Sequence, residues 1–424
     1  MSGPGAVRLL PLPPAAAAAD PAAAAALLER ALAAGEVVAL PAPGEEAALA
    51  AALATDAPPG PAVVLASGGS AGGRRWVHLP LAGLEAAADG LGRWLEGQGI
   101  DPAGCLCLDP LPLHHVSGLM PWLRARRWGA RMRWLAPPLL RDPGALALAL
   151  PLPAGRPVLL SLVPTQLRRL LERPEGAAWL AGCRLIWLGG AALPADLAAE
   201  ARRLGLPLAP CYGSSETGAM VTALEPERFL SGEEGCGRAL PHAAVRIDPL
   251  GGAVQVRTAS LALGEHGAGR FRPLPLAAGW WSSGDRGRLG PAGGLELLGR
   301  LDGAISSGGE TVFPEQVELA LAAAARAAGL PLRHLLLLAE PDPLWGERLV
   351  ALVRAEAADG PGGRAAAEAL LPALAALAVQ LPPSQRPRRW LACPGLAPSG
   401  LGKWRRQHWR HWLAAAAPPA AGDG

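Results

Sequence analysis

Residues 184–216 read RLIWLGGAALPADLAAEARRLGLPLAPCYGSSE, and the pattern of this stretch decides the fold class. Its first residues form a short apolar run that ends in the pair Gly189-Gly190. A helical pattern follows over residues 194–204, and a second apolar run covers residues 206–211. The order strand, helix, strand predicts a βαβ crossover between two parallel strands.

The same kind of pattern extends to both sides of this unit. Short apolar runs at residues 61–65, 105–108 and 158–163 alternate with helical patterns rich in Ala, Leu and Arg. This alternation predicts an α/β fold with largely parallel sheets. Between residues 244 and 298 the pattern changes to a strand-like alternation interrupted by Gly and Pro, which indicates a smaller antiparallel unit.

A chain of 424 residues is too long for one ordinary core, so its length predicts two or three packing units. We predict a boundary after residue 301, between a large domain at 1–301 and a small α/β domain at 302–424. In the large domain, the pair Asp20-Pro21 begins an alanine-rich helix that stops before Gly35. The small domain ends in a Gly-rich loop at 399–403 and a helix rich in Trp and Arg.

Composition excludes several classes of function. The net charge is +3 and no long run of Lys and Arg is present, which argues against a nucleic-acid partner. No stretch supplies about 20 uninterrupted apolar residues, and the first residues lack the pattern of a signal peptide, so no membrane span and a cytoplasmic location are expected. The six cysteines show no metal-binding spacing, which predicts reduced thiols.

A loop rich in Gly and Ser follows the apolar run that ends near residue 66. It reads SGGSAGGRR over residues 67–75. Backbone N–H groups and hydroxyls in such a loop can bind a phosphate, with Arg74 or Arg75 supplying positive charge. Taken alone, the loop is equally compatible with a flexible surface linker.

Three further segments carry chemically suited residues in a fixed order. They are YGSSET at residues 212–217, GWWSSGD at 279–285, and GRLD at 299–302 followed by SGGE at 307–310. Together with the Gly-rich loop, residues 63–410 resemble the adenylate-forming superfamily of acyl-CoA synthetases, luciferases and peptide-synthetase adenylation domains. The Gly-rich loop is the least similar part, because it departs from the TSGSTGxPK pattern at five positions.

This resemblance implies an α/β fold with a large N-terminal domain of mixed sheets flanked by helices, a β-rich subdomain, and a small mobile C-terminal domain. The large domain would bind ATP and the acid, with part of its N-terminal region shortened, and the small domain would carry a late catalytic lysine. The implied substrates and cofactors are a carboxylic acid, ATP, Mg²⁺ and coenzyme A. A homodimer is compatible with the resemblance.

Individual residues receive roles from the matching motifs. Glu216 would hold Mg²⁺ and act in catalysis, Asp302 would be the interdomain hinge, and Ser307, Gly308 and Gly309 would line the coenzyme A tunnel. The residues implied to bind ATP are Ser67, Gly68, Ser70, Arg74, Gly189, Gly190, Tyr212, Gly213, Ser215, Asp285 and Arg300. For Tyr212 the position of a core aromatic residue stays open, for Asp285 that of a turn residue, and for Glu216 that of a capping or solvated residue.

Lys403 corresponds to the late catalytic lysine of the family. A positioned cation stabilises charge that builds on the non-bridging oxygens of phosphorus during in-line attack. Lys403 is the only lysine in the chain, which makes an ordinary solvated lysine a weaker alternative.

Further segments resemble the subfamily of 2-succinylbenzoate-CoA ligases, which act in menaquinone and phylloquinone biosynthesis. LHHVSG at residues 113–118, GARM at 129–132 and SLVPTQL at 161–167 carry this resemblance. It implies that His115 lies near the reacting acid and acts in catalysis, and that Arg124, Ser161 and Thr165 bind the substrate. Guanidinium binds carboxylate bidentately, although Arg126, Arg127 and Arg131 compete for that role. A core position for His115 also stays open.

Two other functions stay open at this point. One is an enzyme that activates another aryl or acyl acid, or that loads a carrier protein instead of coenzyme A. The other is a nucleotide-binding relative without turnover, which the altered Gly-rich loop would suit.

Overall fold

The βαβ unit is present where the sequence predicts it. In the computed structural model, which describes residues 7–9, 21–67, 75–136, 138–356, 361–398 and 404–416, β8 (Leu185–Leu188) and β9 (Leu208–Gly213) are parallel neighbours. The helix α8 (Ala195–Arg203) connects them. Its face with Leu197, Ala198 and Ala201 is buried, so the crossover helix packs onto the sheet.

A seven-stranded sheet is built around this unit, in the order β11-β10-β9-β8-β7-β5-β6. The strands from β6 to β9 are parallel, whereas β10 and β11 are antiparallel additions at one edge. The additional strands are β5 (Leu106–Asp109), β6 (Arg131–Trp134), β7 (Val158–Leu162), β10 (Met220–Ala223) and β11 (Arg238–Ala239). The prediction of a largely parallel sheet is therefore confirmed for this part of the chain.

A second, six-stranded sheet is mixed, in the order β1-β2-β3-β4-β14-β15. Its strands are β1 (Val7–Leu9), β2 (Val37–Ala39), β3 (Ala62–Ser67), β4 (Arg75–Pro80), β14 (Gly264–Gly267) and β15 (Arg270–Pro273). The sequence pattern placed β14 and β15 in the antiparallel unit, but they pair with β4 instead. The backbone groups of β14 form hydrogen bonds with those of β4, which would otherwise be an unpaired edge strand.

The third sheet is the predicted antiparallel unit, formed by β12 (Ala243–Ile247), β13 (Ala253–Thr258), β16 (Leu276–Ala277), β17 (Trp280–Leu289) and β18 (Leu295–Arg300). The fourth sheet contains β19 (Ile305–Ser307), β20 (Glu310–Val312), β21 (Leu332–Asp342), β22 (Gly346–Ala355) and β23 (Arg389–Ala392). The two hydrophobic clusters of this last sheet contain only residues from 305 onward. The domain boundary after residue 301 stays a prediction.

Helices cover the sheets. The first, α1 (Pro21–Ala33), confirms the alanine-rich helix, and Asp20 lies outside the described residues. The others are α2 (Glu46–Ala52), α3 (Leu81–Gly97), α4 (Val116–Trp128), α5 (Pro143–Ala149), α6 (Pro164–Leu171), α7 (Pro174–Ala181), α9 (Pro226–Leu230), α10 (Pro314–Ala327), α11 (Pro361–Ala378) and α12 (Arg406–Ala416).

Two further expectations concern single features of the fold. All six cysteines are free, as predicted. In the described part of the chain, no helix combines the length and the apolar character needed to cross a membrane.

Candidate active site

The predicted nucleotide-binding residues gather where parallel strands end. Gly189 and Gly190 follow β8, and the segment 212–216 runs from the end of β9. In α/β sheets, ligands bind in the crevice outside the carboxyl ends of the strands. The structure therefore brings two of the predicted motifs to one edge of the seven-stranded sheet.

Glu216 is the centre of one polar cluster at this edge. Its side chain is buried, and Oε1 accepts a hydrogen bond of 2.7 Å from the hydroxyl of Ser67 and one of 2.9 Å from Nη2 of Arg75. Arg75 also donates through Nη1 to Glu265 at 2.6 Å. The two ends of the Gly-rich segment are thus tied to the carboxylate that the sequence predicts as a magnesium ligand.

The environment of Glu216 favours its ionised form. Burial alone would raise the pKa of this carboxyl, but the hydrogen bond from Ser67 and the charge of Arg75 hold the pKa below its ordinary value. Carboxylate oxygens are the ligands that Mg²⁺ prefers. A buried, charged carboxylate therefore fits the predicted metal role.

Tyr212, Asp285 and Arg300 form a second polar cluster. The Tyr212 hydroxyl donates to Oδ2 of Asp285 at 2.7 Å, and Nη1 of Arg300 contacts Oδ1 of the same carboxylate at 3.2 Å. Arg300 also binds Asp302 through Nε and Nη2, at 3.0 and 2.9 Å. Three residues from three separate motifs, and the predicted hinge residue, are therefore joined in one network.

Tyr212 is well buried and belongs to a hydrophobic cluster that includes Val221, Val256 and Trp281. Burial, followed by the neighbouring Asp285 charge, raises the pKa of its hydroxyl well above the ordinary value, so this hydroxyl is a proton donor at neutral pH. The predicted adenine contact of Tyr212 stays a prediction, alongside its observed hydrogen bond.

Glycines keep the nearby loops close to their neighbours. A Cβ atom on Gly213 would lie 2.3 Å from the carbonyl oxygen of Ala219, so a larger residue cannot be accommodated there. Gly190 has φ +82, a value that favours glycine, and is exposed. Gly189 and Ser215 are partly exposed at the same edge.

Arg124 and Ser161, both predicted to bind the acid, line one small cavity between α4 and the seven-stranded sheet. The remaining lining residues are Cys107, Leu108, Pro121, Trp128, Leu159 and Trp187. Thr165 is exposed at the start of α6 and is not among them. His115 precedes α4 as its N-cap and is partly buried, with its ring 4.5 Å from that of His114.

The Arg124 side chain is buried, and burial lowers its pKa to about 10. Among the described residues, its guanidinium makes one hydrogen bond, from Nε to the carbonyl oxygen of Met120, and no salt bridge. Its Cζ lies 5.1 Å from the ring centroid of Trp187. The nearby carboxyl of Asp109 is also buried, and burial raises its pKa well above the ordinary value, so Asp109 is not a fixed counter-charge.

The predicted coenzyme A segment lies at a turn between β19 and β20. Ser307 is fully buried, whereas Gly308 and Gly309 are exposed and have φ values of +60 and +82. A Cβ on Gly308 would lie 2.5 Å from the Trp345 ring, so the indole packs directly on the backbone. The turn can therefore be formed only with glycine at this position.

Four predicted site residues lie outside the described residues: Gly68, Ser70, Arg74 and Lys403. Conversely, sequence reasoning gave no role to Trp187, although it lies two residues before Gly189. It also left Arg75 as an alternative to Arg74, whereas Arg75 contacts Glu216 directly.

Comparisons with known proteins identify a matching family model and several similar proteins. A family model described as AMP-binding enzyme matches residues 57–265. A curated 2-succinylbenzoate--CoA ligase from Salmonella typhimurium is 34% identical over 309 residues, which cover 72% of this chain and 59% of that protein. The chain thus matches less than two thirds of the length of that relative.

Two solved structures are similar over most of the chain. Wild-type E. coli MenE with a bound m phenylether-linked analogue of OSB-AMS is 28% identical, with a TM-score of 0.55, covering 84% of this chain and 70% of that one. The o-succinylbenzoate CoA synthetase from Bacillus subtilis, in complex with its acyl-adenylate intermediate, is 20% identical, with a TM-score of 0.69, covering 91% and 80%. The second likeness concerns the fold alone.

Proposed function

We propose that this chain, whose residues 57–265 match the model of the AMP-binding enzyme family, is an ATP-dependent 2-succinylbenzoate-CoA ligase. In this reaction a carboxylate oxygen of the acid attacks the α-phosphorus of ATP, and pyrophosphate leaves. The thiol sulfur of coenzyme A then attacks the acyl carbon, and AMP leaves with the oxygen that joined it to the acyl group. The thiol proton passes to solvent.

The observation that carries this proposal is the convergence of two polar clusters near the end of β9. One is Ser67, Arg75 and Glu216, and the other is Tyr212, Asp285 and Arg300. The first cluster suits the phosphates of ATP and the second suits its ribose. Glu216 of the first cluster and Tyr212 of the second lie in the same short segment, residues 212–216. One nucleotide can therefore engage both clusters.

Asp285 is suited to the ribose although both of its oxygens already accept a hydrogen bond. Each carboxylate oxygen has about two acceptor sites. A ribose hydroxyl can therefore donate to Asp285 without displacing Tyr212 or Arg300. Hydrogen bonds to an ionised acceptor are stronger than neutral ones, which favours this contact.

Mg²⁺ would be held by Glu216, whose buried and charged carboxylate is compatible with such a ligand role. The metal would neutralise charge on the ATP phosphates. Ser67, at the end of β3, and Arg75, at the start of β4, hold the Glu216 carboxylate in position through hydrogen bonds.

Arg124 supports an acid with two carboxylates. A buried cation without a paired carboxylate is costly, because burial removes its water and nothing compensates the charge. The second carboxylate of 2-succinylbenzoate, on the aromatic ring, would supply that compensation. An acid with a single carboxylate would not compensate the charge of Arg124, because that carboxylate is the group that reacts with ATP.

Lys403 would stabilise the charge on the α-phosphate during the first step, and the turn at Ser307, Gly308 and Gly309 would border the path of coenzyme A in the second. Asp302 would absorb the domain movement between the two steps. The enzyme would act in the cytoplasm on small molecules, and its assembly as a homodimer stays a prediction.

Acid-dependent exchange between ATP and radiolabelled pyrophosphate, measured with several aryl acids, tests the proposal. We expect 2-succinylbenzoate to support the exchange and 4-oxo-4-phenylbutanoate, which lacks the aromatic carboxylate, to support it far less. Equal exchange with both acids would favour the ligase for another acid, and no exchange with any acid would favour a nucleotide-binding protein without turnover.

A further inference from the structure

Trp187 has a buried polar group that the fold itself does not use. The side chain is 4% exposed, and its Nε1 has no hydrogen-bond partner among the described residues. Native proteins leave few buried N–H groups without an acceptor, because such a group has lost its water and gained no partner in return. Two other tryptophans near this sheet do have partners, since Trp128 donates to the carbonyl of Ala88 and Trp179 to that of Leu150.

Trp187 shares its cavity with the unpaired cation of Arg124. The guanidinium lies over the indole ring, 5.1 Å from its centroid, and the Ser161 side chain borders the same cavity. Ser161 and Trp187 are also direct partners across β7 and β8. A guanidinium, an indole N–H and a hydroxyl around one small cavity are suited to a negatively charged acceptor.

The position of the cavity suits the far end of an acid bound at the nucleotide site. Trp187 lies two residues before Gly189, at the strand end where the nucleotide is proposed to bind. The cavity holds about 10 Å³, room for roughly one water-sized atom. It can therefore take a carboxylate oxygen while the aromatic ring of the acid stays outside.

We propose that Trp187 is a specificity-determining residue, which donates a hydrogen bond through Nε1 to the second carboxylate of the acid, beside Arg124. This inference rests on the proposed function and extends it. It explains why an indole stands at this point of the strand, where any large apolar residue would fill the core.

The test replaces Trp187 by Phe, which keeps an aromatic ring under the guanidinium and removes the donor. Exchange kinetics give kcat/KM for 2-succinylbenzoate and for 4-oxo-4-phenylbutanoate, and the ratio of the two measures recognition of the second carboxylate. We expect Trp187→Phe to lower this ratio about tenfold or more, through KM for the dicarboxylic acid. The KM for ATP should not change.

Trp179→Phe is the matched control, because this buried indole is not among the residues that line the cavity and its N–H is already bonded to the carbonyl oxygen of Leu150. We expect the ratio to stay at its wild-type value in this variant. If Trp187→Phe fails to fold, Trp187→Leu, which also lacks the donor, is measured in the same way. Thermal stabilisation by each acid gives a second readout that does not require turnover.

An unchanged ratio in the Trp187 variants, or an equal loss with both acids, would overturn the inference. That result leaves the proposed function standing, provided that the wild-type enzyme prefers the dicarboxylic acid. If the wild-type enzyme shows no such preference, the proposed substrate fails first, and the inference about Trp187 fails with it.

Discussion

Lys403 is the residue whose replacement should separate the two half-reactions most clearly. We expect Lys403→Ala to reduce adenylation by about a hundredfold to a thousandfold, because one positioned donor for the developing charge is lost. Conversion of a supplied acyl adenylate to the thioester should continue. Pyrophosphate exchange and thioester formation, measured separately, check this prediction.

Arg405 provides a control for Lys403. It is exposed and only two residues away in the sequence, so Arg405→Ala removes a neighbouring cation without touching the proposed catalytic group. Adenylation should stay close to wild type in this variant. Near-normal exchange in Lys403→Ala would remove Lys403 from the mechanism.

The buried pair His78 and His266 should make the protein sensitive to acid. The two rings are joined by a contact of 3.1 Å between Nδ1 of His78 and Nε2 of His266, and Asp56 is the charged group that acts on His266. Burial, and then the charge of His266, lowers the pKa of His78 from 6.5 to about 4. The unfolded chain therefore binds a proton between pH 6.5 and 4 that the folded chain does not.

Stability must accordingly fall as pH falls through this window, by about 2 kcal/mol at pH 5 for His78. Free energies of unfolding at pH 7.5 and pH 5 measure this difference, and His78→Phe should reduce it. His411→Asn, which changes an exposed histidine, should leave the difference as it is. If the free energy of unfolding depends on pH equally in wild type and in His78→Phe, groups other than His78 cause the acid sensitivity.

Helix α12 is held at its first residue by a partly buried ionic cluster. Nη2 of Arg406 contacts Oε2 of Glu318 at 2.9 Å and Oε1 of Glu315 at 3.2 Å, and Nη1 donates to the carbonyl of Leu337 at 2.7 Å. Oε1 of Glu318 accepts from the Leu337 N–H at 2.7 Å. The start of α12 is thereby fixed to α10 and β21.

Arg406 should influence catalysis through Lys403, which precedes it by three residues. We expect Arg406→Gln to lower adenylation by roughly ten- to a hundredfold, because misplacement of a catalytic group by about 1 Å has effects of this size. Thioester formation from a supplied adenylate should change little. In a Lys403→Ala background, Arg406→Gln should cause no further loss of adenylation.

Arg410→Gln serves as the control, since Arg410 is an exposed residue of the same helix. Loss of both half-reactions in Arg406→Gln, or additive effects in the double variant, would show that Arg406 acts only on the stability of the domain.

Elements with local signals were predictable from the sequence. The βαβ unit and α1 follow from apolar periodicity and from Pro and Gly at the helix ends, which depend on neighbouring residues only. The pairing of β14 with β4 was not predictable, because a strand pattern specifies one buried face and not its partner. The motifs likewise predicted candidate site residues, whereas the contact of Arg75 with Glu216 and the place of Trp187 in the cavity became evident only from the structure.

The predicted hinge residue lies next to the proposed nucleotide site. Asp302 lies two residues after the end of β18 and is paired with Arg300, which also contacts Asp285. If residue 302 is the hinge, its backbone torsions must change between the two half-reactions. Proline fixes φ near −65° and would restrict that change.

We therefore expect Asp302→Pro to keep substantial adenylation and to lose most thioester formation, the reverse of Lys403→Ala. Asp302→Asn is the matched control, because it removes the charge that pairs with Arg300 and leaves the backbone free. If Asp302→Pro slows both half-reactions equally, or neither, the hinge lies at another residue. If Asp302→Asn reproduces the proline effect, the contact with Arg300 matters rather than the backbone.

The pairing of β4 with β14 also has a consequence for the order in which the protein is made. The paired histidines of these strands are separated by 188 residues, so the six-stranded sheet cannot close until the ribosome has passed residue 273. Until then β4, with the large apolar side chains of Trp76 and Val77, is an open edge on the nascent chain. Open apolar edges pair readily with other chains. A truncated product that stops before β14 should therefore aggregate, and a chaperone that shields β4 during translation should raise the yield of the full-length protein.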